Sequence, residues 1–259
     1  MRFENEFGSF TVATTGASLL QLSIGGKEVL HDFGADWSDW AAGAVMFPFP
    51  VRMSSGTRLQ FEQQEYQWPI NDEKHRAALH GLTPWEEFEL EELVDGIQAQ
   101  WSYSGSKDYY PFPCRLTLTY TLGREALHLA CKVENLGPNP MPYHMGWHPY
   151  FRLNGTPSLE IQPTQRLKKN EYSHPGEKIP CEEFDWSQEV DGAYFMDHIV
   201  VDGSVEIQPL SAVTQVFRPK GAHFVAVEPI TGLGHPEFPW RVVPSRGEDK
   251  VKTVIRVVK

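Results

Sequence analysis

Alternation of polar and apolar residues with a period of two constrains this chain more than any other feature. The stretches RLTLTYTL (115–122), EALHLACKVEN (125–135), SVEIQP (204–209) and KVKTVIRVV (250–258) all carry it. Successive side chains of a strand point to opposite faces, so each run sets one face on a core and the other toward solvent or a cleft. Turn residues punctuate the runs at Gly25-Gly26, Asp95-Gly96, Leu122-Gly123-Arg124 and Asp202-Gly203, pairs suited to tight hairpins. No run of twelve or more residues shows a helical stripe. The nearest, PWEEFELEEL (84–93), reads equally well as a strand. With 21 glycines and 20 prolines spread along 259 residues, the expectation is an all-β fold. One large antiparallel β-sandwich should span residues 1–259, with the Pro- and charge-rich stretch from about Lys168 to Asp191 as an excursion on its surface.

Charge and cysteine usage narrow the function. A net charge of −11 sets the surface against nucleic acid and anionic membranes as partners, though a local basic pocket for a phosphorylated sugar would survive it. The opening MRFENEFGSF lacks the apolar segment of a secretory signal, and no run of about 18 apolar residues occurs. Cys114, Cys131 and Cys181 are odd in number, widely spaced and without a CxxC, which predicts reduced thiols and a cytoplasmic protein. Neither a P-loop nor a dinucleotide-binding glycine pattern is present, so no nucleotide cofactor is expected. Nothing in the chain reports an oligomeric state.

Two histidines four residues apart stand in YHMGWHPYFRL (143–153). An HxxxH pair shares a metal when it lies on a helix, but Pro140, Pro142, Gly146 and Pro149 make this stretch extended. Four residues of strand span roughly 13 Å, too far for two imidazoles to share one ion. No metal site is expected. On a strand, His144, Gly146 and His148 share a face, Trp147 turns inward as a core anchor, and Gly146 leaves open space beside the histidines for a ligand. The residues alone leave standing the plainer reading of two satisfied or solvated histidines.

HFVAVEPITG (223–232) offers a matching carboxylate. Alternation puts Phe224, Ala226 and Glu228 on one face, so Glu228 ends an apolar strand in a partly desolvated place, where a carboxyl group becomes a better base near neutrality. A solvated strand end is the alternative. Arg52, in FPFPVRMSSGTRLQF (47–61), and His80, in AALHGLTPW (77–85), add planar hydrogen-bonding groups beside aromatic residues, the combination that sugar recognition needs.

Taken in order, these stretches resemble the aldose 1-epimerase (galactose mutarotase-like) family. PFPVRMSSGTRLQFEQQEYQWPIN resembles its arginine motif, LHGLTPW its Leu-His-Gly motif, VENLGPNPMPYHMGWHPYFRL its Gly-x-His-x-Tyr-Phe segment, VAVEPITG its glutamate-proline motif, and VVPSRGEDKVKTVIRV its closing strand pair. The resemblance covers nearly the whole chain. It implies a large antiparallel sandwich with a cleft on one face, and cofactor-independent interconversion of α and β sugar anomers. It further implies His148 as general acid at the ring oxygen, Glu228 as general base at the anomeric hydroxyl, and Arg52 and His80 as substrate-positioning residues. Asp197, in FMDHIV, matches the family's sugar-binding aspartate better than Asp191 does. Val51 stands where many members carry Asn before the arginine, His144 matches no family role and is expected to line the cleft, and the short arginine-to-histidine spacing fits the smaller members. The rival reading is a non-catalytic carbohydrate-binding sandwich. A glycosidase would need a second flanking carboxylate, for which only Asp197 or Asp191 could serve. A cupin-like metal enzyme would need clustered ligands, whereas the remaining histidines are scattered.

Overall fold

Alternating burial along the central strands builds the molecule. The computed structural model describes residues 1–154, 159–160, 163–181 and 187–258. In Cys114–Leu122, every second residue (Cys114, Leu116, Leu118, Tyr120, Leu122) is buried. This strand lies between Gly96–Tyr103 and Ala126–Asn135 in an eight-stranded sheet that continues through Glu248–Val257 to Val205–Ile207 and Ile199–Val201. A six-stranded sheet runs in the order Tyr150–Arg152, Phe224–Pro229, Val213–Arg218, Val190–Phe195, Gln165–Lys169, Pro175–Pro180. Every pairing in both sheets is antiparallel. Residues 2–28 form a four-stranded meander. One apolar cluster joins Leu116, Leu118 and Leu129 of the large sheet to Val216, Val225 and Val227 of the second and to Phe3 and Phe10 of the meander, so the sheets pack face to face as a β-sandwich. No helix of the described residues is long and apolar enough to cross a membrane.

The expected turns lie at or beside the places the sequence indicated. Gly25 and Gly26 (φ +59° and +80°) close a two-residue hairpin, Asp202, Gly203 and Ser204 a three-residue one with φ +48° and +58° at its first two positions, and Val94 and Asp95 join their strands one residue ahead of the expected pair. Of PWEEFELEEL, Thr83–Trp85 is a 3-10 turn and Glu89–Leu93 a strand at the edge of the large sheet. The stretch after Lys168 differs from expectation. It contributes the hairpin of Gln165–Lys169 and Pro175–Pro180 to the second sheet rather than a surface excursion; its residues 182–186 lie outside the described residues. No alternation shows there because Gln165–Lys169 fully buries only Leu167, and Pro175–Pro180 only Pro175.

YHMGWHPYFRL is not one strand but parts of three. Met141–Tyr143 pairs with Arg241–Val243, Gly146–Trp147 with Val45–Met46, and Tyr150–Arg152 with Phe224–Pro229. The two histidines stand between these elements, yet His144 N–H to the Pro48 carbonyl and His148 N–H to the Ala44 carbonyl continue the register of Gly146 with Met46, and the expected shared face holds: His148 meets Glu228, Gly146 the backbone of Pro229 and Ile230, and His144 meets Thr231. Trp147 is a core anchor, 2 % exposed. Gly146 provides no open space for a ligand: a Cβ there would lie 2.6 Å from the Pro229 carbonyl oxygen and 2.7 Å from Ile230 Cγ2. The glycine is required because the backbone following Glu228 crosses against it. Gly146→Ala should therefore destabilise the fold by about 1–3 kcal/mol, the usual cost of overpacking, read as a lower midpoint in urea denaturation. An unchanged midpoint would mean that the crossing is loose.

Candidate active site

The six-stranded sheet turns one face toward the core and the other toward a cleft. Tyr150 lies opposite Ala226, Ala226 opposite Phe217, and Phe217 opposite Asp191; one step along, Glu228 lies opposite Gln215. These side chains share the cleft face, because residues two apart on a strand, and those directly opposite on its neighbours, point the same way. Val225 and Val227, from the same strand as Glu228, belong to the core on the other side. The strand is thus buried on both faces, and Glu228 is only 1 % exposed. The cleft has a volume of about 220 Å³ and is lined by Arg52, His80, His148, Asp191, Gln215 and Glu228 among polar residues. Trp40, Tyr150 and Phe217 give it an aromatic wall, and Trp85, 48 % exposed, stands at its rim.

At its floor, His148 Nε2 lies 3.5 Å from Glu228 Oε1. His148 is held by its backbone, whose N–H donates to the Ala44 carbonyl and whose carbonyl accepts from Gly43 N–H. The imidazole stacks on Tyr150, with ring centres 4.8 Å apart. Burial pushes the His148 imidazole down to about 4 and the Glu228 carboxyl well above its ordinary value, the latter reinforced by the charge of Asp191. Both shifts favour the uncharged forms. His148 Nδ1 and Glu228 Oε2 have no hydrogen-bond partner among the described residues, although both atoms are buried.

Two distant motifs interlock to place the other groups. Val51 N–H donates to His80 Nδ1 (3.0 Å), and His80 N–H donates to the Val51 carbonyl (3.0 Å). Accepting at Nδ1 puts the proton of the neutral His80 ring on Nε2. Burial, then the neighbouring His148 and Arg52, hold His80 well below its ordinary value, so it is a neutral donor. Gly81 is demanded here, since a Cβ would lie 2.4 Å from the Phe47 carbonyl oxygen at φ +72°. Arg52 Nε donates to Asp72 Oδ2 at 2.6 Å, and its Nη2 lies 3.0 Å from His75 Nδ1. Burial would raise Asp72, but hydrogen bonds from Arg52 and His75 outweigh it and hold the carboxyl below its usual range. Asp72 and His75 were not legible as site residues in the sequence: they stand in a polar turn with no motif of their own.

The structure brings together four of the five sequence-predicted residues, Arg52, His80, His148 and Glu228. Asp197 is not among them. The strand Val190–Phe195 ends before it, and Asp197 is exposed in the connection to Ile199–Val201 of the other sheet, near His198 and Glu206. Asp191, the poorer match by sequence, occupies the cleft instead. Its Oδ1 accepts from Gln215 Nε2 (2.8 Å), and its Oδ2 contacts Lys169 Nζ and lies 3.9 Å from Arg52 Nη1. Strand periodicity could have found it, since Asp191 is two residues from Ala193 on the cleft face. His144 does not line the cleft. It is buried against the Trp240 ring (4.9 Å) and within 3.4 Å of Thr231 Oγ1 and the Phe238 carbonyl. Among the described residues, no three His, Cys, Asp or Glu side chains are grouped to hold a metal ion.

Comparison with known proteins follows the same geometry. The family model for aldose 1-epimerase matches residues 1–219, a span that includes Arg52, His80, His148 and Asp191 and ends before Glu228. The uncharacterized protein YihR of Escherichia coli K12 is 30% identical over 148 residues, 56% of this chain and 48% of that protein. YphB of the same organism, also uncharacterized, is 27% identical over 149 residues, 55% of this chain and 49% of that one. The chain thus matches about half the length of these curated relatives. Among solved structures, a galactose mutarotase-like protein from Clostridium acetobutylicum superposes with a TM-score of 0.83 at 15% identity, covering 99% of this chain and 94% of that one. The GalM/aldose epimerase homologue from C. elegans gives 0.82 at 15% identity, covering 100% and 98%. At such identity the likeness speaks for the fold.

The buried carboxyl has a consequence for stability. Because its folded value is raised, the folded protein keeps a proton that the unfolded chain has already released. The stability linked to Glu228 is full below the ordinary glutamate range and is lost as pH climbs through the raised value. Glu228→Gln removes that loss. Its melting temperature relative to wild type should rise between pH 5 and pH 8; a difference that stayed flat would show that Glu228 titrates normally.

Proposed function

On the premise that the chain belongs to the aldose 1-epimerase family, we propose that it interconverts the α and β anomers of an aldose without a cofactor, using His148 and Glu228 as a coupled acid and base. The observation that carries this reading is the 3.5 Å contact between His148 Nε2 and Glu228 Oε1 on the cleft floor. Anomerisation works on two oxygens bonded to one carbon, so its acid and base must be neighbours. A glycosidase spaces its two carboxyl groups about 5–9.5 Å apart around a scissile bond. Here Asp191 is already engaged by Lys169 and Gln215.

Ring opening proceeds from the arrangement of the shared proton with His148 as imidazolium and Glu228 as carboxylate, the one that burial disfavours. His148 delivers its proton to the ring oxygen, the bond from that oxygen to C1 breaks, and Glu228 takes the proton of the anomeric hydroxyl as the C1 carbonyl forms. The pair is left as neutral imidazole and carboxylic acid. Rotation about C1–C2 presents the other face of the aldehyde. Closure returns a proton from Glu228 to the carbonyl oxygen and one from the ring hydroxyl to His148. One proton therefore stays with the pair throughout. Burial favours the neutral arrangement of both groups, the one that accompanies the scarce open-chain form. Arg52, Asp191 and the Nε2–H of His80 serve as fixed partners for sugar hydroxyls, with Trp40 and Phe217 offering faces to its C–H groups. A protein that only bound sugar would gain nothing from two buried titratable groups in contact.

Polarimetry of freshly dissolved α-anomers, both free hexoses and their 6-phosphates, tests the activity directly. Relaxation should be faster with protein and end at the same rotation. No acceleration, together with a bound sugar, would instead identify a carbohydrate-binding protein. His148→Asn and Glu228→Gln should each lose about 10²–10⁴-fold in rate while remaining folded. Near wild-type rates in either would remove that residue from the mechanism. Arg52→Ala should mainly raise KM, since a positioning group acts on ground and transition states alike.

A further inference from the structure

We infer that Lys169 is a positioning residue for the proposed reaction: it anchors Asp191 in the cleft and supplies the positive charge that keeps Glu228 usable as a base. The inference rests on the role given to Glu228 above and goes beyond it, because Lys169 does not touch the cleft floor itself. It is the last residue of Gln165–Lys169, on the same side of the strand as the buried Leu167. The register irregularity at this point leaves its own strand regular, since the step from Leu167 to Lys169 is two residues while the facing step from Lys178 to Pro175 is three.

Lys169 is largely withdrawn from water, with 20% of its side chain exposed, and its Nζ is in direct ion-pair contact with Asp191. Burial lowers the Lys169 ammonium, and Asp191 opposes that loss. A lysine in such a place is costly to keep unless its charge is matched. The match is specific. Arg52 is the other cation near Asp191, but its Nε is bound to Asp72 at 2.6 Å and it reaches Asp191 only at 3.9 Å. Lys169 is therefore the close counter-charge of Asp191. Through Gln215, which donates to Asp191 and lies opposite Glu228 in register, that carboxylate is one side chain from the proposed base.

The groups around Glu228 are His148 and Tyr150 from residues 143–153, His80 and Arg52 from the interlocked loops, and Asp191 and Lys169 from the strands Val190–Phe195 and Gln165–Lys169. Of these, Asp191 raises the Glu228 carboxyl, whereas Lys169 and Arg52 lower it. Removing the Lys169 charge acts twice in one direction: it withdraws a positive charge and leaves Asp191 less compensated. Glu228 then holds its proton to higher pH.

Titration of the glutamate side-chain carboxyl carbons by ¹³C NMR tests this, with the Glu228 signal identified by its disappearance in Glu228→Gln. Lys169→Met and Lys169→Gln should move the Glu228 midpoint up by about one pH unit or more, within the range of a nearby charge. Lys169→Arg should stay near wild type, and Asp191→Asn should move the midpoint down. The alkaline limb of kcat/KM, where the pair loses its one proton, should move up with the midpoint in Lys169→Met, whereas a merely structural role would lower the rate at every pH without moving the limb. An unchanged midpoint in Lys169→Met overturns the inference; if neither charge-removing variant folds, an unchanged midpoint in Asp191→Asn does so. The titration needs no turnover. A protein inactive on every sugar would defeat the functional reading and leave this test standing.

Discussion

Burial of Phe224–Pro229 on both faces is the constraint on which the site depends. Val225 and Val227 tie the strand to the core shared by both sheets. Phe224, Ala226 and Glu228 face the cleft side, where the aromatic wall and His148 cover them. A carboxyl group placed there cannot be solvated as in water, so its chemistry is set by the few groups that reach it. Were the strand at an exposed sheet edge, the same Glu228 would be an ordinary surface acid.

The pair is accordingly a cost to the fold. Two buried polar atoms, His148 Nδ1 and Glu228 Oε2, lack partners among the described residues, and each such atom is typically worth about 1–3 kcal/mol of lost stability. The surroundings make up for this with packing that leaves little freedom. Gly146 admits the backbone after Glu228, and Gly43 and Ala44 hold the backbone of His148. His80 and Val51 exchange hydrogen bonds although both sit at positive φ (+62° and +58°), which for a β-branched valine is a strained conformation. Strain and unpaired polar groups gathered in one cleft are the pattern of a functional site rather than of a region selected for stability.

Much of the fold was legible because strands announce themselves locally. Alternation in 115–122 and 125–135 depends only on neighbouring residues, and the hairpins at Gly25-Gly26 and Asp202-Gly203 depend only on which residues accept positive φ. The site was legible in part for the same reason: Glu228 could be placed on the Phe224 and Ala226 face by counting. Counting failed on what covers a face. It put His144, Gly146 and His148 on one face, but the chain from Pro229 to Gly232 crosses Gly146 and His144, so His148 reaches the cleft while His144 does not and Gly146 has no opening. The family resemblance, not the count, favoured Asp197, which lies beyond the end of its strand, over Asp191, which lies within it.

By itself, the sequence determined the strand-rich class, the positions of the tight turns, and the residue types able to do acid–base chemistry on a sugar. These follow from side-chain period and from chemistry carried by single residues. Only the tertiary structure decided that Arg52 is held by Asp72, that Asp191 rather than Asp197 enters the cleft, that Lys169 stands behind it, and that His148 meets Glu228. Each of these is a contact between strands or loops far apart in the chain. Its existence rests on register, on where a strand stops, and on what the surrounding core excludes, none of which is a property of a local stretch of residues.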